Sequence, residues 1–322
     1  MPPVPSRSRD ASRSPAMQRE AGASALVRSV CGGVVTRTTL PRCPPIVARM
    51  SQLPTPPTAL TIAGSDSGGG AGAQADLKTF AALRVHGTSA LTAVTAQNTT
   101  GVRGVVALDP TFVRLQIETV LDDFEVRSVK TGMLANGGIV AEVASLAAHG
   151  RLPGLVVDPV LVSSTGHPLL EPDGIAAYLE RLLPEALVAT PNLREAAVLG
   201  GTTVDLLVSL DDRVAVAEKI RGRGARWVVV KGGHLTESAD DVVVGPQGVT
   251  VLPSARVETG NDHGTGCSLS AAIAARLAHG DPVLDAITAS KEFVHRALAG
   301  GAGWRLGAGH GPIDHFGWSE RS

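Results

Sequence analysis

The chain has 322 residues, of which 43% are apolar and 3% aromatic, so it is long enough for one large α/β domain or two ordinary ones. The formal net charge is −1, but the first 50 residues hold eight arginines and two acids, which leaves 21 basic and 28 acidic side chains in the remainder. A mildly acidic body has no electrostatic reason to bind nucleic acid or an anionic membrane, and no apolar run approaches the ~18–20 residues of a membrane-spanning helix.

The N-terminal segment, residues 1–57, is rich in Pro, Ser and Arg and lacks sustained apolar periodicity. Such a segment cannot bury enough surface to offset its ordering entropy, so we predict a disordered extension ahead of one folded domain at residues 58–322. Its composition is typical of a transit peptide; alternatively, translation begins at Met50, which is the interpretation we favour. Two of the three cysteines lie in this segment, and the single thiol left in the body, Cys267, favours a reducing, cytoplasmic compartment.

Beyond the extension, predicted strands and helices alternate. Apolar, β-branched runs predict strands at residues 59–63, 89–96, 128–131, 155–160, 187–190 and 227–231, and a late hairpin at 241–244 and 249–257. Apolar periodicity predicts helices at residues 71–83, 110–124, 138–149, 174–183, 210–221, 265–278 and 283–298. The alternation predicts a doubly wound, mostly parallel sheet with helices on both faces and right-handed crossovers. Ligands of such sheets bind beyond the C-terminal ends of the strands, where each polar cluster described next falls.

The first polar cluster is a glycine-rich turn, GSDSGGGAG at residues 64–72, between a strand and a helix. Gly68, Gly70 and Ala73 match the dinucleotide pattern G-x-G-x-x-A, but the acid expected about 20 residues further on is missing, which disfavours an oxidoreductase. The turn either binds a ligand or needs positive φ angles. A run of three glycines exceeds the needs of one turn and favours binding. The chain holds no P-loop pattern.

The second cluster is His263-Gly-Thr-Gly-Cys267, which leads directly into a predicted helix. Gly264 and Gly266 allow several N–H groups to converge at the helix start, where the dipole favours phosphate. A cysteine in this position is expected to have a lowered pKa, so Cys267 could act as a base towards a substrate hydroxyl. The alternative is a small buried thiol with a packing role.

Three further polar groups follow predicted strands. Asn192 and Glu195 lie on one face of a starting helix, where both can reach one hydrated cation or phosphate; equally, they can form a helix N-cap with its capping-box glutamate. Lys231, which ends a strand, either meets phosphate or extends its amine to solvent. Asp158 ends a buried strand and either supports a magnesium ion or caps a helix.

Eight segments occur in one order along the chain: AGSDSGGGAGAQADLKTFAAL, LTAVTAQNTTGV, KTGML, DPV, TPNLREA, VVVKGGH, HGTGCSLSAAIAA and GHGPIDHF. Together they resemble the hydroxymethylpyrimidine/phosphomethylpyrimidine kinases of the ribokinase-like superfamily, over residues 59–316. The resemblance implies a three-layer α/β/α sandwich with a mainly parallel central sheet. It also implies two phosphorylations in thiamine diphosphate synthesis. ATP phosphorylates the hydroxymethyl group of 4-amino-5-hydroxymethyl-2-methylpyrimidine, and a second ATP converts the monophosphate to the diphosphate.

The resemblance assigns substrate-binding residues. Gln97 matches the pyrimidine-binding glutamine of the family, whose amide donates and accepts at once, as a ring nitrogen beside an exocyclic amine requires. The other residues matched to the substrate pocket are Gly64, Asp76, Met133 and Val160.

The resemblance also implies ATP and Mg²⁺ as cofactors. Cys267 stands where many ribokinase-like enzymes keep an aspartate base. The residues matched to the anion hole are Gly264, Thr265 and Gly266, and those matched to the nucleotide site are Asn192, Lys231, Gly232 and Gly233. Glu195 belongs to the N-x-x-E magnesium motif, and Asp158 is the second acid expected near the metal.

The chain departs from the family pattern at three places. Asp262 replaces the Thr of N-T-H-G-T-G-C, and residues 162–167 lack the Lys and Asp of A-K-S-G-D, which removes a phosphate contact expected in the second phosphorylation. Asp314 stands where Asn is common.

Two other functions compete with the pyrimidine kinase. A pyridoxal or pyridoxine kinase of the same superfamily also acts on a hydroxymethyl group of an aromatic nitrogen ring, but Gln97 and Cys267 together favour the pyrimidine. A catalytically inactive nucleotide-binding regulator is disfavoured by the intact GTGC helix start. The expected partners are the small-molecule substrate and, by resemblance, a second copy in a homodimer.

Overall fold

The computed structural model describes residues 55–161, 170, 172–233 and 239–321, together with two short strands, β1 (Val30–Cys31) and β2 (Val34–Val35), that pair antiparallel. The predicted extension, residues 1–57, lies almost wholly outside these residues, so its disorder stays a prediction. The fold described below belongs to the unit Thr55–Ser322.

The central sheet has eight strands, which are β3 (Thr58–Ala63), β4 (His86–Leu91), β7 (Val126–Thr131), β8 (Val156–Val157), β9 (Val188–Ala189), β10 (Trp227–Val230), β11 (Asp241–Gly245) and β12 (Gly248–Leu252). Their spatial order is β12-β11-β10-β9-β8-β7-β3-β4. All pairs from β4 to β10 are parallel, and β11 and β12 form the predicted antiparallel hairpin at the edge. The mainly parallel, doubly wound sheet is therefore confirmed.

The described part of the chain has eight α-helices, six between strands and the last two after β12: α1 (Gly72–Ala82), α2 (Pro110–Asp123), α3 (Gly137–Ala148), α4 (Pro172–Ala177), α5 (Leu193–Gly200), α6 (Leu210–Arg221), α7 (Thr265–His279) and α8 (Val283–Gly301). Asp109 caps α2 by accepting from the backbone of Thr111 and Phe112, with Pro110 in the first turn as predicted. None of these helices is long and apolar enough to cross a membrane.

Two hydrophobic clusters lie on opposite faces of the sheet because successive strand residues point to opposite sides. Val157 and Val228 face the cluster that includes α2, α3, α5 and α6, whereas their neighbours Val156 and Val229 face the cluster that includes α1, α7 and α8. Helices therefore cover both faces, which is the predicted three-layer sandwich.

The structure differs from the prediction at two places. The strand predicted at residues 89–96 is two strands, because the chain leaves β4 at Thr92 and enters a separate antiparallel hairpin of β5 (Ala93–Asn98) and β6 (Gly101–Ala107). Strand β6 was not predicted, since nearly all its residues are exposed and it has no apolar face to recognise. The helix predicted at residues 174–183 is instead α4 followed by a π-helical turn, Tyr178–Leu182, and a 3₁₀ turn, Leu183–Glu185.

Candidate active site

The predicted polar clusters meet at the C-terminal edge of the sheet. Gly64 follows β3, Gly132 follows β7, Asp158 follows β8 and Lys231 follows β10, and Asn192, beyond β9, forms a parallel bridge with Lys231. Residues from five separate parts of the sequence therefore lie in one region. Parallel sheets bind their ligands at this edge, beyond the C-terminal ends of the strands.

The glycine-rich turn is organised around the carboxylate of Asp66. Its Oδ1 accepts from the N–H of Gly68 at 2.8 Å, and its Oδ2 accepts from Gly70 at 3.0 Å and Ala71 at 2.8 Å. Burial acts to raise the pKa of Asp66, but hydrogen bonds from His263, Ala71 and Gly68 outweigh burial and lower it. Asp66 is therefore a fixed anion that holds the turn in shape.

The same turn packs directly on the HGTGC segment. A Cβ at Gly70 would lie 2.6 Å from Cδ2 of His263, and a Cβ at Gly264 would collide with the carbonyl of Gly70. Gly264 also has φ +86°, a conformation that favours glycine. Close backbone approach and one positive φ thus explain these glycines.

Helix α7 begins at Thr265, so the first N–H groups of the GTGC segment have no acceptor within the helix. Gly266 faces Lys231, since a Cβ added there would lie 3.2 Å from the lysine Nζ. A glycine-flanked helix start and an ammonium group therefore face the same space, and both favour a phosphoryl group.

The half-buried thiol of Cys267 lies where two helices begin, since the backbone N–H of Gly72 at the start of α1 acts to lower the pKa of this thiol. Burial raises the pKa of Cys267 to about 11, although Lys130 acts to lower it. The expectation that the helix start lowers this pKa is therefore wrong for the free site: desolvation exceeds the stabilisation of the thiolate. The thiol is neutral at pH 7.

A fully buried ion pair lies beneath the thiol. Both carboxylate oxygens of Asp76 accept from Nζ of Lys130, at 2.8 and 3.0 Å, and one accepts from Thr61 Oγ1 at 2.6 Å. Neither charged side chain is exposed to solvent. Burial opposes the charge on Lys130, but attraction to Asp76 outweighs it and raises the lysine pKa. Lys130 and Thr61 thus engage the oxygens of Asp76, and the assignment of Asp76 to the substrate pocket stays a prediction.

A second charged cluster joins the ends of β8, β9 and β10. Nζ of Lys231 lies 3.0 Å from Oδ1 of Asp158 and 3.9 Å from Oε2 of Glu195, and Oδ2 of Asp158 accepts from Ser270 Oγ at 3.2 Å. Burial raises the pKa of Glu195 to about 7, with Asp158 adding to the rise and Lys231 opposing it. One lysine ammonium group thus lies near two buried carboxylates, and the cluster has too little positive charge to balance both of them.

Asn192 and Glu195 form the capping box predicted as the structural alternative. The Asn192 Oδ1 accepts from the Glu195 N–H at 2.9 Å, and Glu195 Oε2 accepts from the Asn192 N–H at 2.7 Å. The box leaves Glu195 Oε1 without a hydrogen bond among the described residues. Capping and ion binding therefore use different oxygens and do not exclude each other.

Gly232 and Gly233 have different surroundings. A Cβ at Gly232 would collide with the backbone of Asp240, and its N–H donates to Asp241 Oδ1 at 2.8 Å, whereas Gly233 faces open space. Gly232 is thus explained by packing, and the assignment of both glycines to the nucleotide site stays a prediction.

Gln97 and Met133 lie near the glycine-rich turn from two different strands. The pairing of β5 with β6 shifts register between Ala96 and Gln97, where the extra residue, Arg103, lies on β6, and Ser67 Oγ bonds the N–H and the carbonyl of Gln97 at 2.7 and 2.8 Å. A Cβ at Gly64 would collide with Cε of Met133. Gln97 and Met133 are both partly exposed, as is Val160 beyond β8, so these three can contact a ligand.

Sequence reasoning gave no role to three residues of this region. Asp66 could have been recognised as an acid that precedes a glycine run, a pattern typical of a side chain that accepts from its own turn. His263 was part of a recognised motif, and its Nε2 lies 3.0 Å from Asp66 Oδ2 and 3.3 Å from Gln97 Nε2. Lys130 ends an apolar strand, but its pairing with Asp76 depends on tertiary packing.

The structure shows the surroundings of two of the three positions at which the chain departs from the family pattern. Asp262 is exposed and its Oδ1 lies 2.7 Å from His310 Nδ1, so this extra carboxylate has a partner at the surface. Asp314 accepts from the backbone of Phe316, Trp318 and Ser319, a role its carboxylate fills well. The segment without the family lysine, residues 162–167, lies outside the described residues.

A doubly wound sheet with a glycine-flanked helix start and a lysine–carboxylate cluster at its strand ends defines an α/β enzyme that handles phosphoryl groups. The chain belongs to the phosphomethylpyrimidine kinase family, whose family model matches residues 66–314.

Relatives and solved structures support this membership. The chain is 48% identical over 260 residues to a hydroxymethylpyrimidine/phosphomethylpyrimidine kinase of Rhizobium meliloti, covering 80% of this chain and 96% of that one. It is 45% identical over 264 residues to a chloroplastic thiamine biosynthetic bifunctional enzyme of Arabidopsis thaliana, covering 81% of this chain and 50% of that one. An ADP complex of Bacillus subtilis pyridoxal kinase aligns with a TM-score of 0.74 at 39% identity, covering 81% of this chain and 98% of that one. The predicted ribokinase-like fold is confirmed.

Proposed function

We propose that this protein transfers the γ-phosphoryl group of ATP to the hydroxymethyl group of 4-amino-5-hydroxymethyl-2-methylpyrimidine, and then to the resulting monophosphate, in thiamine diphosphate synthesis. One observation carries the proposal. The glycine-rich turn contacts both Gln97, whose side-chain amide can hydrogen-bond an aminopyrimidine, and the start of α7, which can bind a phosphoryl group. Ser67 bonds the backbone of Gln97, and the turn packs on the helix start so closely that a Cβ at Gly264 would collide with the carbonyl of Gly70.

Different side chains assist different parts of the phosphoryl transfer. The substrate oxygen attacks the γ-phosphorus, the bond to the β,γ-bridging oxygen breaks, and ADP leaves with the electron pair. Lys231 and the first N–H groups of α7 stabilise the charge on the transferring group, which is the main requirement of phosphoryl transfer. The neutral Cys267 thiol orients the hydroxyl. In the fraction of molecules in which Cys267 has lost its own proton to solvent, the thiolate accepts the hydroxyl proton as the bond to phosphorus forms.

The described residues fit one Mg²⁺ ion near Glu195 and Asp158. Carboxylate oxygens are the ligands that Mg²⁺ prefers, usually one or two with phosphate and water completing the shell. The pKa of Glu195 is raised to about 7 because burial and Asp158 exceed the effect of Lys231, so added positive charge would stabilise this site. No cluster of three or more metal-binding side chains occurs among the described residues, which agrees with an ion held partly by nucleotide phosphates. When bound, the ion would neutralise those phosphates.

A pyridoxal kinase is the second candidate function. The structural similarity to the Bacillus subtilis pyridoxal kinase favours it, whereas the names of the curated relatives favour the pyrimidine. Phosphorus NMR of reactions with ATP and each alcohol distinguishes them: we expect a monophosphate and then a diphosphate of the pyrimidine. Product from pyridoxal alone would refute the proposal. Lys231→Ala is the control that should abolish either product, and persistence of ATP turnover in that variant would reveal contaminating activity.

We also expect a cytoplasmic homodimer. The free thiol of Cys267 suits a reducing compartment. The hairpin of β5 and β6 exposes four valines, of which Val94 at 47% and Val106 at 67% are directly paired across the two strands, and such an exposed apolar pair would suit an interface between two copies. Light scattering of the wild type and of Val106→Lys tests the dimer, and a monomeric wild type would refute it.

A further inference from the structure

A hydrogen-bonded chain runs from Asp66 through His263 to Gln97, beside the groups assigned to phosphoryl transfer. Nε2 of His263 lies 3.0 Å from Oδ2 of Asp66 and 3.3 Å from Nε2 of Gln97. The Asp66 carboxylate is 2% exposed and His263 is partly buried. Two groups of fixed position thus surround the terminal amide that the proposed function assigns to the substrate ring.

The surroundings of Asp66 determine where His263 carries its proton. Asp66 can only accept, because backbone N–H groups of Gly68, Gly70 and Ala71 already donate to both of its oxygens and hold it ionised. An unprotonated Nε2 would place a lone pair against this anion. Nε2 of His263 therefore carries a hydrogen and donates it to Asp66.

This proton in turn fixes the amide of Gln97. A protonated Nε2 cannot accept from an N–H group, so the stable arrangement turns the Gln97 carbonyl oxygen towards His263 and the NH₂ group away; the two ends of an amide exchange by a simple rotation. The amide then offers N–H donors and its second oxygen lone pair to a ligand. An aminopyrimidine edge, with a ring nitrogen that accepts and an amine that donates, matches that pattern.

The backbone at Gln97 is held by the same turn. Ser67, the neighbour of Asp66, bonds both the N–H and the carbonyl of Gln97 through its hydroxyl, and the pairing of β5 with β6 changes register between Ala96 and Gln97. With both its backbone and its amide held, Gln97 reaches the ligand with little orientational freedom to lose.

We propose that Asp66 and His263 are positioning residues that lock the orientation of the Gln97 amide and thereby set the preference for an aminopyrimidine alcohol over a pyridine alcohol such as pyridoxal. Pyridoxal has a ring nitrogen that can accept from the amide but no amine beside it, so the oxygen of the locked amide finds no donor on that ring. The inference rests on the proposed function, because it specifies how the substrate site of that function selects its ring.

A double-mutant cycle tests the lock. Calorimetry measures binding of 4-amino-5-hydroxymethyl-2-methylpyrimidine and of ATP to wild type, His263→Leu, Gln97→Leu and the double variant. We expect each single variant to weaken pyrimidine binding by about ten- to a hundredfold, and the double variant to be no weaker than Gln97→Leu by more than about twofold. ATP binding should change little in any of them.

Two further variants make the result specific. His263→Gln keeps an N–H donor at similar reach and should restore most of the affinity, whereas His279→Leu is a matched control that removes a histidine bonded to the Leu83 carbonyl at the far end of α7. Additive losses of pyrimidine affinity in the cycle, or a folded His263→Gln variant with no recovery of affinity, would overturn the proposal that His263 orients the Gln97 amide. A wild type that does not bind the pyrimidine would overturn the proposed function itself, which is a distinguishable outcome.

Discussion

Burial and the start of helix α7 act in opposite directions on the pKa of the Cys267 thiol. With a pKa raised to about 11 by burial, only about one thiol in 10⁴ is ionised at pH 7, because each pKa unit is a factor of ten. The rate of alkylation by iodoacetamide should therefore rise about tenfold per pH unit from pH 7 to pH 10, since the thiolate is the nucleophile.

The assay is mass spectrometry of the Cys267 peptide after timed alkylation, which separates this thiol from Cys31 and Cys43. A plateau of the rate below pH 8 would refute the argument and show that the helix start dominates. The kinetic counterpart is Cys267→Ala, for which we expect a fall in kcat of about 10²-fold, the lower end of general-base effects, with KM for ATP nearly unchanged. A near-normal kcat would reduce Cys267 to a packing residue.

Four other predictions test separate parts of the account. Gln97→Leu should raise KM for the pyrimidine about ten- to a hundredfold without changing KM for ATP; an unchanged KM would show that Gln97 does not bind the ring. Lys130→Met leaves Asp76 charged and buried, so urea unfolding should show a loss of about 3–5 kcal/mol that Asp76→Leu partly restores; a loss below 1 kcal/mol would contradict the buried pair. Glu195, with its pKa raised from 4.5 to about 7, contributes stability that is present below pH 4.5 and lost as pH rises through 7; Glu195→Gln should thus flatten the fall in Tm between pH 5 and pH 8, and an unaltered fall would exclude this group. Protein expressed from Met50 should keep its Tm and kinase activity, and loss of either would show that residues 1–49 are needed.

The sequence allowed the sheet and its helices to be predicted because these depend on local patterns. The apolar runs of β3 and β10 and the Asp109 cap of α2 are signals of this kind. Strand β6 carried no such signal, since its exposed residues lack an apolar face. Local pattern thus predicts elements that bury one face and misses those that do not.

The charges at the site depend on tertiary packing instead. Asp76 and Lys130 lie 54 residues apart in the chain, and only the packing of α1 on the sheet brings them together in a place without solvent. The pKa of Cys267 likewise depends on the balance between a local helix start and burial created by distant segments. Candidate site residues could therefore be proposed from the sequence, whereas their ionisation and their pairing with one another could be seen only in the tertiary structure.

The ratio of kcat/KM for 4-amino-5-hydroxymethyl-2-methylpyrimidine to kcat/KM for pyridoxal, measured by ADP release from the wild-type protein with ATP and Mg²⁺, tests the proposed substrate most directly. An amide held by His263 and Ser67 is expected to favour the pyrimidine by at least about tenfold, with the pyrimidine monophosphate accepted in a second step. A ratio below one, or ADP release with pyridoxal alone, would contradict the proposed function.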